Sequence, residues 1–169
     1  MRTYSTIQIV FCTIVLFLGQ PMTAFARFCE PLPPPAGNII HVDPSQTGKL
    51  TSIVAGASQG DTILLADANY LLDGVYLWVS TPGLTIRSAS GNREAVVLDG
   101  NYKTTKIVTV TASHVTIADL TLRRAKFHGV HVVPASVGSE DISHTRIHNV
   151  HIIDPGQQAV KINPYLESI

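Results

Sequence analysis

The chain has 169 residues, 45% of them hydrophobic and 14% charged, and no formal net charge. A charge content well below the roughly 25% of an average soluble protein, together with so much apolar sequence, excludes a disordered chain. Neutrality argues against nucleic acid as the main partner, because that partner needs a basic face, and two cysteines, Cys12 and Cys29, cannot build a disulfide-dense scaffold.

Taken in chain order, Met1 to Thr6 carries a single positive charge, Arg2, and Ile7 to Leu18 is apolar except for Gln8 and Thr13. Gly19 and Pro21 break the run, and Ala24-Phe25-Ala26 supplies an A-x-A site before Arg27. This is the three-part pattern of a secretory signal peptide, and its apolar run is shorter than the ~20 residues of a membrane span. The expectation is export to the periplasm or the medium, with no membrane attachment after cleavage. Removing the first 26 of 169 residues leaves 143. Cys29 is then the one remaining thiol. Residues 27–38, with Pro31, Pro33, Pro34 and Pro35, read as a stiff proline-rich leader.

Ile39 to Val42 predicts a strand and Pro44 to Gly48 a turn. Leu50, Ile53, Val54 and Ala57 then fall on one face of a helix over residues 49–58, stopped at Gly60. From Asp61 the pattern changes to short Val-, Ile- and Thr-rich pieces flanked by Gly, Pro, Asn, Asp or Ser, which predict strands. They are residues 62–65, 75–79, 84–87, 96–98, 107–110, 115–122, 130–133, 142–153 and 159–163. No helix-length segment separates them, so alternating strand–helix units are excluded. Strand count alone leaves an antiparallel sandwich open.

Repetition separates the two. Leu84-Thr85-Ile86 returns as Val115-Thr116-Ile117 after 31 residues, and Val108-Thr109-Val110 returns as Val130-His131-Val132 after 22 and as Val160-Lys161-Ile162 after a further 30. Strand-only repeats of ~20–30 residues predict an all-β solenoid, whose inward residues stack into an apolar column. A short helix at the start would cap the open end of that column.

The order of these motifs resembles the start of a right-handed parallel β-helix protein of the pectate lyase-like kind, seen in extracellular polysaccharide lyases. The helix from Leu50 to Ser58, then Gly60-Asp61-Thr62-Ile63-Leu64-Leu65 and a turn at Asn69-Tyr70, is similar to that family's opening. Pro82 to Arg87, Ala95 to Gly100, Val115 to Leu122, His128 to Val132 and Arg146 to Val150 are similar to its successive coils. The resemblance covers roughly residues 39–165. It implies an N-terminal capping helix, an acidic polysaccharide as partner and, in an active member, β-elimination on a uronate-containing polymer. Calcium is implied by the resemblance alone; the sequence itself points to no cofactor. The fold also carries hydrolases, epimerases and non-catalytic shafts, so function does not follow from it.

Strand alternation assigns faces. With Val75, Leu77, Val79, Val108, Val110, Val130, Val132, Val160 and Ile162 inward, Tyr76, Trp78, Thr109, His131 and Lys161 share one outer sheet. Trp78, the only tryptophan, is a sugar-stacking platform in this reading. The candidate substrate-binding residues are Tyr76, Trp78, His131 and Lys161. Six of the seven histidines lie between residues 114 and 151, but pairs three apart, such as His128 and His131, point to opposite faces of a strand, so no metal site is expected. β-Elimination needs a base and a cation beside the substrate carboxylate. Lys161 fits the base and His131 a partner to it, while Asp119, Glu140, Asp141, Asp154 and Glu167 are too scattered for a calcium cage. Arg123-Arg124-Ala125-Lys126 reads as a basic turn that either is solvated or holds acidic sugars. Asp99-Gly100 reads as turn chemistry, and Asn149 and Asn163 as turn asparagines bonding the next coil's backbone.

Two functional readings result. One is an exported polysaccharide lyase-like β-helix that binds, or once acted on, an acidic polysaccharide. The other is a non-catalytic carbohydrate-binding or structural β-helix segment of the cell envelope. The chain reaches Ile169 soon after its last predicted strand without an amphipathic cap. The expectation is therefore an N-terminal fragment, lacking a competent active site and prone to self-association through its uncapped last coil.

Overall fold

A computed structural model describes residues 31–136, 139 and 141–163. The expected signal peptide at 1–26, leader residues 27–30, Glu140, Glu167 and the expected uncapped end at 164–169 lie outside these residues.

Thirteen short strands and one α-helix form among them. The strands are β1 (Ile39–Val42), β2 (Thr62–Leu65), β3 (Ala68–Leu71), β4 (Leu77–Val79), β5 (Thr85–Ser88), β6 (Val96–Asp99) and β7 (Lys106–Val110). They continue as β8 (Thr116–Ala118), β9 (Thr121–Arg123), β10 (His128–Val132), β11 (Arg146–His148), β12 (His151–Ile153) and β13 (Val160–Ile162). Between β1 and β2 lie a 3-10 helix, Pro44–Lys49, and α1, Leu50–Gly56. Asp43 starts this helical stretch with a capping box, its carboxylate accepting from the Ser45 amide while Gln46 accepts from the Asp43 amide. Leu50 and Val54, one turn apart, are the buried face of α1.

The protein is mainly β, with three sheets ordered β1-β2-β5-β8-β11, β3-β6-β9-β12 and β4-β7-β10-β13. Among the described residues every strand pairing is parallel, which removes the antiparallel sandwich. From β2 onward the chain visits the three sheets in rotation, and from β5 onward each strand pairs with the one laid down one round earlier.

That rotation stacks like on like. Ile63, Ile86, Ile117 and Ile147 are in register in the first sheet. Tyr70, Leu98, Leu122 and Ile152 align in the second, and Leu77, Val108, Val130 and Val160 in the third. Most of these side chains are fully buried, each contributing roughly 2 kcal/mol of transfer free energy. Parallel strands shielded on the inner face by such ladders need no helix between them.

The corners repeat as well. Residues in the left-handed backbone region precede strands of the first sheet at Gly60, Gly83, His114 and His144. The first three donate their amides to the carbonyls of Pro82, Ser113 and Ser143 in the following round. Asp119 and Asn149 occupy a second corner and Arg124 and Asp154 a third, all with positive φ. These corners correct the sequence reading in places. Residues 115–122 and 142–153, read as single strands, each contain two strands broken at Asp119 and Asn149. Asn69-Tyr70, read as a turn, lies inside β3. Tyr70 is wholly buried because its hydroxyl donates to the Ala66 carbonyl at 2.8 Å, which offsets the cost of burying a phenol. Val75, expected inward, is 53% exposed, because β4 starts only at Leu77.

The described leader residues cross the outer face of the first sheet. Thr62 donates its hydroxyl to the Ala36 carbonyl at 2.8 Å and Arg87 donates to the Pro33 carbonyl at 3.0 Å. A cavity of about 230 Å³ lies between this strap and the Thr62, Thr85 and Thr116 rungs.

Candidate functional site: the outer face of the third sheet

The third sheet brings the predicted site residues together. Trp78 on β4 is in register with Thr109 on β7, Thr109 with His131 on β10, and His131 with Lys161 on β13. One side chain per round forms a continuous row, with strands ~4.8 Å apart. Tyr76 lies beside the row, its ring centroid 6.0 Å from that of Trp78. All four candidates, Tyr76, Trp78, His131 and Lys161, therefore belong to one face. Trp78 is 42% exposed, and the described leader residues lie on the first sheet rather than over it.

The middle of the row departs from the expected solvated face. Thr109 is 1% and His131 8% exposed. The His131 Nε2 lies 2.9 Å from Asn163 Oδ1, two residues beyond Lys161 and just past the end of β13. Asn163 thus bonds a neighbouring side chain rather than backbone. Asn149 does likewise, donating to the Asp119 carboxylate at 3.0 Å.

His128, which strict alternation puts on the opposite face, joins the row. Its ring centroid lies 5.4 Å from that of His131, and it is only 4% exposed. The cause is a one-residue slip of alternation at the start of β7 and β10. Ile107 and Val108 are consecutive and both fully buried. Their partners in β10 are Gly129, where an added Cβ would run into Ile152 at 2.7 Å, and Val130. Two inward residues in succession put residues three apart on the same side. Lys106 and Thr109, and likewise His128 and His131, then share the outer face, and Lys106 pairs in register with His128. The apolar doublet Ile107-Val108 was the available signal; glycine in the matching position of β10 hid it.

Three buried polar atoms of this cluster have no hydrogen-bond partner: Thr109 Oγ1, His128 Nδ1 and His131 Nδ1. Such atoms are uncommon in folded proteins, and each costs about 1–3 kcal/mol if left dry. Burial pushes the pKa of His128 down, and His131, Lys161 and Lys106 add to this, with the Gln158 carbonyl opposing weakly. Burial also depresses His131; its bond to Asn163 opposes the shift, and Lys106 and Lys161 reinforce it. Both imidazoles are therefore held toward the neutral form, between two lysines.

The basic turn is placed differently from the sequence reading. Arg123 ends β9 and Arg124 follows it, and both grip Asp99, which is fully buried at the end of β6. Arg123 Nε reaches Asp99 Oδ2 at 2.9 Å, and Arg124 donates to both carboxylate oxygens at 2.8 and 2.6 Å. The Asn101 amide adds a fourth bond at 2.9 Å. Burial would raise the Asp99 pKa, but the Arg124, Asn101 and Arg123 bonds outweigh it and bring it to about 2. This pair-and-carboxylate knot locks adjacent rounds together, leaving Lys126 as the exposed cation of the motif. His114 and His144 stack at 4.5 Å on a surface corner. Among the described residues, no group of three or more His, Cys, Asp or Glu side chains converges as a metal site would require.

No family model, no curated protein and no solved structure matches this chain.

Proposed function

We propose that the chain is a right-handed parallel β-helix, capped at its start by α1, that is exported and binds an acidic polysaccharide on the outer face of its third sheet. The rotation among three parallel sheets supports the solenoid reading, and parallel crossovers within a sheet are almost always right-handed. The signal-like N-terminus supports export. The observation that carries the binding reading is the in-register row Trp78–Thr109–His131–Lys161. It sets an exposed indole, suited to the apolar face of a sugar, in line with hydrogen-bonding groups and a cation, suited to hydroxyls and a carboxylate. A linear polymer laid across the strands would meet Trp78 at one end of the row and Lys161 at the other, with Thr109 and His131 buried between them.

The relationship to polysaccharide lyases is part of the same proposal. Lys161 is the group on this row that would act as base, with His131 beside it and calcium, if used, brought in with the substrate. A non-catalytic binding module is the second reading, favoured by the hydrogen bond that commits His131 Nε2 to Asn163.

Tryptophan fluorescence of the purified protein, titrated with oligouronates and with neutral glucans, tests binding. The expected result is a saturable change with the uronates and, because Trp78→Ala removes the only tryptophan, a roughly tenfold or greater loss of affinity in that variant measured by calorimetry. No change with any uronate would overturn the proposal. Absorbance of unsaturated sugar ends in the same mixtures separates lyase from binding module.

A further inference from the structure

We propose that Lys106, His128, His131 and Lys161 form a proton-coupled oxyanion subsite, which takes up a carboxylate or sulfate group together with a proton on the imidazole pair. It deepens the acidic-glycan reading by naming how that face is regulated, and rests on it only for the polymer that carries the oxyanion.

The geometry supplies the argument. The two rings lie 5.4 Å apart on the outer side of β10. His128 is in register with Lys106 on one side, and His131 with Lys161 on the other. Each ring buries an Nδ1 that has no partner, and Thr109 buries an unpartnered hydroxyl beside them. The groups around the pair are Lys106 and Thr109 from β7, Lys161 and Asn163 from the β13 side, and Phe127 and the Gln158 carbonyl at the strand's start, with Tyr76 and Trp78 one strand further off beside β7. The charged members are all cationic, and no carboxylate among the described residues faces either ring. Protonating an imidazole here adds a cation to a site already holding two lysines, which is unfavourable unless an anion arrives with it. An oxyanion at the rim of the site, where the two lysines are less buried than the rings, supplies the missing countercharge. Proton and anion therefore bind with positive coupling, and by linkage each raises the affinity for the other.

The first test uses the wild-type protein and inorganic sulfate. Imidazole proton resonances are followed by NMR against pH, with sodium sulfate or with sodium chloride at equal ionic strength. Sulfate is expected to raise the titration midpoints of His128 and His131. Midpoints that do not respond to sulfate would overturn the proposal. In Lys106→Ala/Lys161→Ala the sulfate effect is expected to be lost; its persistence would move the subsite elsewhere and also overturn it.

The second test uses oligouronate at about pH 7.5 and about pH 5.5. Affinity is expected to rise on acidification by about tenfold for each unit by which the ligand raises an imidazole midpoint, with proton uptake seen by calorimetry in buffers of different ionisation enthalpy. His128→Gln and His131→Gln are expected to flatten that profile. A sulfate response without oligouronate binding at either pH would leave the oxyanion subsite standing and remove the glycan reading. Oligouronate binding without proton uptake would do the reverse.

Discussion

Asp99 shows how much one residue can differ from its sequence context. Followed by glycine, it has the composition of a turn, yet it is wholly buried and accepts four hydrogen bonds from Arg123, Arg124 and the Asn101 amide. Its folded pKa of about 2 lies below the ordinary 3.8. The carboxylate therefore contributes about 2 kcal/mol that is complete above pH 3.8 and is lost as pH falls toward 2. Asp99→Asn is expected to lower stability by about 2 kcal/mol at neutral pH, less than the ~3–5 kcal/mol for breaking a fully buried pair, because both guanidiniums reach solvent. Urea unfolding at pH 7 measures the loss, and the variant's stability should vary less than wild type's across the acid range. A variant as stable as wild type at neutral pH would show that the knot is incidental. The two arginines were legible as a basic cluster; that they converge on a carboxylate 24 and 25 residues earlier is a product of stacking one round on the next.

At the scale of the element, β10 is the informative strand. Its sequence reads as simple alternation from Val130 to Val132, and that part of the register is as the pattern predicts. The start of the strand is not, because Gly129 takes an inward place and turns His128 outward. An alanine there would bring its Cβ to 2.7 Å from Ile152 and 2.8 Å from the Ala159 carbonyl. That carbonyl also accepts the Val130 amide at 3.0 Å, so it cannot retreat without loosening the β10–β13 pairing. Gly129→Ala is expected to cost about 1–3 kcal/mol, read as a lower urea midpoint. Unchanged stability would mean that residue 129 faces open space and that the proposed slip of alternation is wrong. Glycine carries no hydrophobic signal, so a pattern reading has nothing at this position with which to detect an inward residue.

For the whole molecule, the two imidazoles make acid sensitivity a property of the third sheet. Their folded pKa values are lowered from 6.5. The folded state therefore binds protons less readily than the unfolded chain, and stability is complete above about pH 6.5 and falls as pH drops below it. Thermal midpoints are expected to decline between about pH 7 and about pH 5 in chloride, and less steeply in His128→Gln/His131→Gln. An equal decline in the double variant would place the acid sensitivity elsewhere. The sequence alone determined the mainly β class, the short N-terminal helix and the Trp78–Thr109–His131–Lys161 part of the outer row, because period-two apolar residues and a repeated triplet state which of those side chains face inward. The in-register stack also followed from the triplets, since like residues align when each round pairs with the previous one. Only the tertiary structure decided where the rounds turn, because the corners rest on left-handed residues such as His114, Asp119, Arg124 and Asn149 that no apolar pattern marks. It alone also decided which polar groups are buried together. Burial of Thr109, His128 and His131 and the gathering of Asp99 with two arginines depend on neighbours one round away, at distances along the chain that vary with the length of each turn.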